Sequence, residues 1–578
     1  MTTPTATETS TPPSPHNDHV SASSRITTTQ SSLLTTSLLE QCHTLLSELT
    51  TLQTRLSSTL RKPHAVETRQ LKSWVKSELK ALEKLDVAKD EGEEGDDGDT
   101  RERELRRLHA LRSSNLPFFM AVWTVTKRSC RSLMAFGKKF YWEEEVKGRR
   151  GKGGGGGGGN EDYDEITGDL RELQVSEAGK GGTGATKKQR RNVLVDIVDE
   201  NGEEWVKVST VTESRLLFEM AKKGWEVGWD SGSDTEDDDG EGGVRTRTIL
   251  QNYDSDDSED EDHIELLKLA FDMKKAAREV RVRYRHPRIR FVLPKIVEGK
   301  VPQIDKILNE FRKAGITVEC GIQGEDGQTY EVDGQPDSDA ILDEVFARVL
   351  PNPYTYFTDT LNVDCTLLLA LVSDVSHVKG IQTTPEHHRA IVRQIEMETK
   401  EPLVPYEIWP AMGNRALVCS NEAAIRMHDI VDTIGTDTEK TRTDLLMGKG
   451  AAKDMDRETR IQRFQELSDH QVPKDWEIPI TVVDADAVIN EAWKDGTLPE
   501  ASRKVAEQIS VLNRSVFIYG WAAGIVTLSS NRTVAKQIEA LVEANRDGDE
   551  ELVGPDLWLC DTARSLVGKE KGKGGGRH

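Results

Sequence analysis

The sequence predicts an α/β protein. Its carboxyl-terminal part is expected to be a three-layer α/β/α domain with a parallel sheet, preceded by a helical region and a small α/β unit, with disordered acidic and Gly-rich insertions. Three observations predict this. Leucines recur at helical spacing early in the chain, an apolar run, an Asn-Gly turn and a second alternating run mark a β-hairpin near residue 200, and short buried strands lead into apolar helices after residue 360.

Composition sets the outer limits. The chain has 578 residues, 31% of them charged and 36% hydrophobic, a balance that leaves part of it outside any packed core. With 77 basic against 100 acidic residues the formal charge is -23, which argues against a general binder of nucleic acid or anionic membrane, although the acids are concentrated in a few runs. Six cysteines, Cys42, Cys130, Cys320, Cys365, Cys419 and Cys560, form no CxxC pair, so neither a zinc site nor a disulfide framework is indicated. The first residues lack a signal-peptide apolar core and no window of about 18 apolar residues follows, so the expected location is cytoplasm or nucleus, without a membrane contact.

Residues 1–30, rich in Thr, Ser and Pro, read as a disordered tail, and residues 31–145 as a helical region. Leu34, Leu38, Leu39, Leu45, Leu46, Leu49 and Leu52 recur at helical spacing, and Leu71, Trp74, Val75, Leu79, Leu82 and Leu85 do the same, a helical hairpin with Pro63 in the turn. The acidic stretch 90–99 reads as a linker, and 116–136 as a core helix whose Lys127, Arg128 and Arg131 disfavour a membrane span. The Gly-rich stretch 146–190 lacks the GK[ST] ending of a phosphate loop and is expected to be a disordered insertion.

A small α/β unit is expected over 191–321, opening with the hairpin 193–198 and 204–208 around Asn201-Gly202. Acidic blocks at 230–262 interrupt it, and their Ser231, Ser233 and Ser258 each precede an acid by three residues, a pattern that suits either acidophilic kinases or simple solvated loops. Beyond a helix at 263–280, Arg281, Arg283 and Arg285 alternate at strand spacing, as do Arg288 and Arg290, so that each set would project from one face of an extended segment beside Tyr284 and Phe291. Such a face would neutralise phosphates and stack bases of single-stranded nucleic acid, or pair with the acidic blocks upstream. A linker and short helix over 322–350 lead to the carboxyl-terminal domain at 351–568, and 569–578 is a basic Gly-rich tail.

In that domain, Leu361 to Asp364 reads as a buried strand ending in an acid, with Thr366 at the start of a helix. Asp364 is therefore either a ligand for a cation or a helix cap. His377, His387 and His388 do not make a plausible metal cluster, since the last two are adjacent, and Cys365 reads as core because a neighbouring carboxylate raises a thiol's pKa.

The strand–Asp-x-Thr–helix pattern resembles the PIN-like domain superfamily of metal-dependent ribonucleases. The segments 363–377, 416–435, 515–541 and 556–568, with 193–208 earlier, are similar to an uncharacterised eukaryotic family that carries a PIN-like carboxyl-terminal domain. The resemblance implies carboxylates converging on Mg2+ or Mn2+, with Asp364 in the first position and Glu422 in the second. The third acid would follow a strand at 515–519, where this chain reads Gly520-Trp521-Ala522-Ala523, and Asn531 after the next strand offers only a neutral ligand. Asp484, Asp486 and Asp561 are possible replacements. The expected function is thus a catalytically degenerate PIN-like domain that binds RNA or a protein partner. One alternative is an active divalent-metal-dependent endoribonuclease with relocated ligands. The other is an interaction scaffold that engages protein partners through its helical amino-terminal region.

Overall fold

The computed structural model describes residues 18–58, 66–87, 97–146, 187–223, 264–321, 339–383 and 388–567. Pro63, most of the 90–99 and 146–190 stretches, the acidic blocks with their three serines, 322–337, His387 and the carboxyl-terminal tail lie outside the described residues.

Four helices, Asp18–Ser58, Arg69–Val87, Asp97–Arg112 and Leu116–Ser129, make the amino-terminal region. The first begins well inside the stretch expected to be a tail. Its leucine stripe (Leu38, Leu45, Leu49, Leu52, Leu56) is buried with Leu71, Val75 and Leu82 of the second helix and Trp123 of the fourth. Burying two such stripes against each other is what turns weak helical propensity into stable helices. The 116–136 run is not one helix: it stops at Ser129, and a strand, β1 (Ala135–Val146), follows.

β1 heads a five-stranded sheet with β2 (Lys187–Asp199), β3 (Glu204–Val208), β4 (Arg288–Leu293) and β5 (Thr317–Cys320), in that spatial order. β1, β2 and β3 pair antiparallel, whereas β4 and β5 add in parallel, fed by the helices Glu265–Arg278 and Pro302–Lys313. The expected hairpin forms with Ile197 opposite Val206, and Glu200, Asn201 and Gly202 all take positive φ to close it.

The carboxyl-terminal sheet is entirely parallel. Its strands β6 (Thr360–Val363), β7 (Ala416–Ser420), β8 (Thr481–Val483), β9 (Val526–Ser529) and β10 (Leu557–Leu559) run in the order β10-β9-β6-β7-β8. β6 is central, so the chain reverses its winding direction there, and the crevice outside the carboxyl ends of such strands is where open sheets place ligands. Trp409, Phe464, Trp476 and the ring of His377 pack against one another in the core of this domain. Among the described residues no helix is long and apolar enough to cross a membrane.

The strand expected at 515–519 is helical instead. Arg514–Ile518 is a π-helical turn that runs into the α-helix Tyr519–Ala523, which ends at left-handed Gly524. Gly520 of this helix lies against Thr527 of β9 so closely that a Cβ would overlap its Oγ1. Asn362 of β6 donates to that same Oγ1 (3.0 Å) and to the carbonyl of Val516 (2.8 Å), tying strand, helix and neighbouring strand together. Gly520→Ala is therefore expected to cost about 1–3 kcal/mol through over-packing, measurable as a lowered Tm. An unchanged Tm would show that this helix does not sit on the sheet as described.

Candidate functional site

Asp364 follows β6 and heads the helix Cys365–Ala370 without a side-chain capping hydrogen bond. Its carboxylate turns sideways. Oδ2 accepts from Ser529 Oγ at 2.6 Å and from Thr366 Oγ1 at 2.7 Å, and the Asp364 side chain is buried. Ser529 Oγ in turn accepts the amide of Asn531 (3.0 Å), and Thr366 Oγ1 that of Ser530 (3.4 Å). Burial raises the Asp364 pKa, and the two hydroxyl donors oppose that rise. The group acts as a staple between the carboxyl ends of β6 and β9.

The other sequence-derived candidates are distributed along the same edge, with their own partners. Glu422 is the second residue of the helix Asn421–Ile434, and its Oε2 is buried without a hydrogen-bond partner among the described residues. Asn531 caps the helix Arg532–Ala544 by accepting the Val534 amide at 3.2 Å. Asp484 caps Ala485–Asp495 (3.1 Å), Asp486 pairs with Arg514 (3.0 Å) and Asp561 with Arg532 (3.0 Å). Among the described residues no group of three or more His, Cys, Asp or Glu side chains is arranged to hold a metal ion. The donor set at Asp364, one carboxylate and two hydroxyls that already donate to it, does not fit Mg2+ or Mn2+, which require several oxygens free to accept.

His377 is buried in the aromatic cluster, with Nε2 2.8 Å from the Leu371 carbonyl, and burial first and Arg442 second lower its pKa to about 3. His388 caps the helix Arg389–Lys400. Burial pushes the Cys365 thiol up to about 12, with Asp364 adding to the effect. None of these three is placed as a metal ligand or nucleophile.

Arg288 and Arg290 alternate on β4 as expected, but Arg281, Arg283 and Arg285 do not form an extended segment. Val282 to Arg285 is a tight turn closed by reciprocal backbone hydrogen bonds of 2.8 and 3.1 Å, with Arg283 and Tyr284 at φ 49° and 68°. Arg281 pairs with Glu543 (3.1 Å) and Glu550, and Arg283 with Glu203 (3.0 Å) and Asp556 (2.7 Å). Arg288 pairs with Glu200, and buried Arg290 with Glu204 (2.9 Å) and Glu319 (3.2 Å). Arg285 is exposed, and no carboxylate pairs with it among the described residues. These partners are acids of the folded units, and the acidic blocks lie outside the described residues. The Arg281 and Arg283 turn also lies at the amino-terminal edge of the parallel sheet, near Asp556 just before β10, whereas Asp364 is at the carboxyl edge.

Beside Asp364 opens a cleft of about 500 Å³, walled by Thr366, Leu369, Ile430, Ile434, residues 530–533 and residues 562–566. Behind it stands a charged group that sequence reading missed. Glu407, in a second π-helical turn (Val404–Ile408), accepts the Asp561 amide at 3.1 Å. Buried Glu398 pairs with Arg564 at 2.6 Å. The signal for Glu407 was a single acid within the apolar run LVPYEIW. Residues 361–471 match a protein family described as a protein of unknown function (DUF1308), a stretch that starts at β6 and includes Asp364, Glu407 and Glu422. No curated protein and no solved structure matches the chain.

Burial raises the Glu407 pKa to about 7, Asp561 adds to the rise, and the Asp561 amide, Arg532 and Arg564 oppose it. An unfolded Glu loses its proton near pH ~4.3, so between that pH and about 7 the folded state holds the extra proton and stability falls as pH climbs. Tm of Glu407→Gln minus Tm of the wild type is therefore expected to increase from pH 5 to pH 8, read by thermal melts. Parallel Tm–pH curves would refute the assignment.

Proposed function

We propose that residues 351–568 form a PIN-like domain that has lost its metal chemistry and binds single-stranded RNA in the cleft beside Asp364 without cleaving it. The observation that carries this reading is the state of Asp364: buried, accepting two hydroxyl hydrogen bonds, and without convergent acids among the described residues. The parallel strand order, with Asp364 just after its central strand, supports the PIN-like resemblance. The cleft supports the ligand class. It joins the amino terminus of the helix Arg532–Ala544, with its positive dipole end, to the guanidinium of Arg532 and the hydroxyls of Thr366, Ser530, Thr533, Thr562 and Ser565. Those groups suit phosphate and ribose, and Leu369, Ile430 and Leu566 offer an apolar wall to a base.

A protein ligand is the second reading. It rests on Ile425 and Ile434, which the helix Asn421–Ile434 leaves exposed, the latter at the cleft's rim.

Fluorescence anisotropy with an unstructured RNA oligonucleotide distinguishes these. Arg532→Glu is expected to weaken binding by about ten-fold or more through lost phosphate attraction, while Asp364→Asn leaves affinity within a small factor of wild type. Manganese-dependent cleavage that Asp364→Asn abolishes would instead establish an active nuclease. Absence of RNA binding, with Ile434→Asp disrupting a captured protein complex, would favour the protein ligand.

A further inference from the structure

The turn Val282 to Arg285 belongs to the chain of the amino-terminal α/β unit, yet its tip is buried in the other domain. Tyr284 is part of the carboxyl-terminal hydrophobic core, among residues such as Leu361 and Trp558, and is 8% exposed. Its ring lies against Gly554 so closely that any Cβ there would overlap it, which explains why residue 554 has no side chain. The Tyr284 carbonyl accepts from buried Arg546 Nη2 at 3.0 Å, and also from Arg281 Nη1 at 3.3 Å. Arg283 stacks over the ring of Tyr356 at 4.0 Å while bridging Glu203 of its own unit and Asp556 of the other. Arg281 holds Glu543 and Glu550, and His286 faces Glu550 at 3.2 Å.

Two successive non-glycine residues in the left-handed region form a conformation that an isolated Arg-Tyr turn disfavours. Here the backbone conformation and the socket require each other. Left-handed Arg283 and Tyr284 direct one side chain onto Tyr356 and Asp556 and the other under Gly554, and both anchoring contacts lie outside the turn's own unit.

We infer that the Arg281 to His286 segment is a docking prong, recognised in cis by an acidic and aromatic socket of Tyr356, Glu543, Arg546, Glu550, Gly554 and Asp556, and that it locks the amino-terminal α/β unit onto the sheet edge opposite Asp364. The prong folds only when docked. Arg281 and Arg283 are thereby ligands of the carboxyl-terminal domain, and the cleft at the far edge stays uncovered by the prong. This inference stands independently of what the cleft binds.

Hydrogen–deuterium exchange on the full chain tests it. The Val282 and Arg285 amides donate the turn's two cross-hydrogen bonds. In Gly554→Ala, which alters only the socket, both are expected to exchange about ten-fold faster or more, because a turn released from its socket loses its protection. Tyr284→Ala should do the same, and the double variant should add little to either single change, as coupled partners do. Asp556→Asn, which leaves the socket's shape intact, provides the same reading if Gly554→Ala folds poorly. Exchange at these amides within about two-fold of wild type in the folded Gly554→Ala and Asp556→Asn proteins would overturn the proposal, since the turn would then hold its shape without docking.

Discussion

The carboxylate of Asp364 is the constraint on which the carboxyl-terminal architecture turns. A buried charged oxygen must have donors, because transfer from water without them costs several kcal/mol. Ser529 and Thr366 supply them at 2.6 and 2.7 Å, and each of those hydroxyls also receives an amide from the 530–531 loop. The ends of β6 and β9 are thus fastened by side chains where their backbone ladder runs out. The same satisfaction supports the proposed loss of metal chemistry, since an oxygen that already accepts two hydroxyl protons, with no group of three or more His, Cys, Asp or Glu side chains arranged for a metal among the described residues, has little to offer a hard cation.

The two edges of this parallel sheet have become different in kind. At the carboxyl edge the strands end in caps and hydroxyls around an open cleft. At the amino edge Arg283 and Tyr284 enter from another unit and close the surface with ion pairs and a buried ring. A single strand of nucleic acid that met both Asp364 and the arginines would have to cross the sheet from one end to the other, so these two features do not form one groove. Ion pairs such as Arg281–Glu550, with Glu550 largely exposed, add little stability individually. Burial of Tyr284 is the stronger anchor, and the arginines set its register.

The alternation of apolar strands and helices made the fold class legible, and the Asp-x-Thr motif located the sheet's central strand. Two elements were not legible, for definite reasons. The run from Ser515 to Leu528 is apolar nearly throughout, and an unbroken apolar run carries no periodicity to separate helix from strand; only Gly524, the left-handed stop, marked the change. β1 was hidden because its partner β2 lies beyond a long insertion, so no local turn announced the pairing. The arginines alternated as in a strand, but Arg283 and Tyr284 adopt positive φ under forces from Asp556 and Gly554, far along the chain, which no local pattern encodes. Glu407 escaped for the same reason, since its neighbours Asp561 and Arg532 are contributed by later elements.

In an all-parallel sheet each strand's carboxyl end is also the approach to a helix amino terminus, so a polar residue there has two possible roles. Ser420, Asp484 and Asn531 follow or end β7, β8 and β9, and each accepts an amide of the helix it precedes. A side chain engaged as a cap is oriented along its own helix and not toward its neighbours', which is why residues at ligand-like positions fail to converge. Asp364 is the exception, since its carboxylate reaches across to Ser529 of the neighbouring strand as well as accepting from Thr366 of its own helix. Glu422, by contrast, caps nothing and keeps one buried oxygen without a hydrogen-bond partner among the described residues.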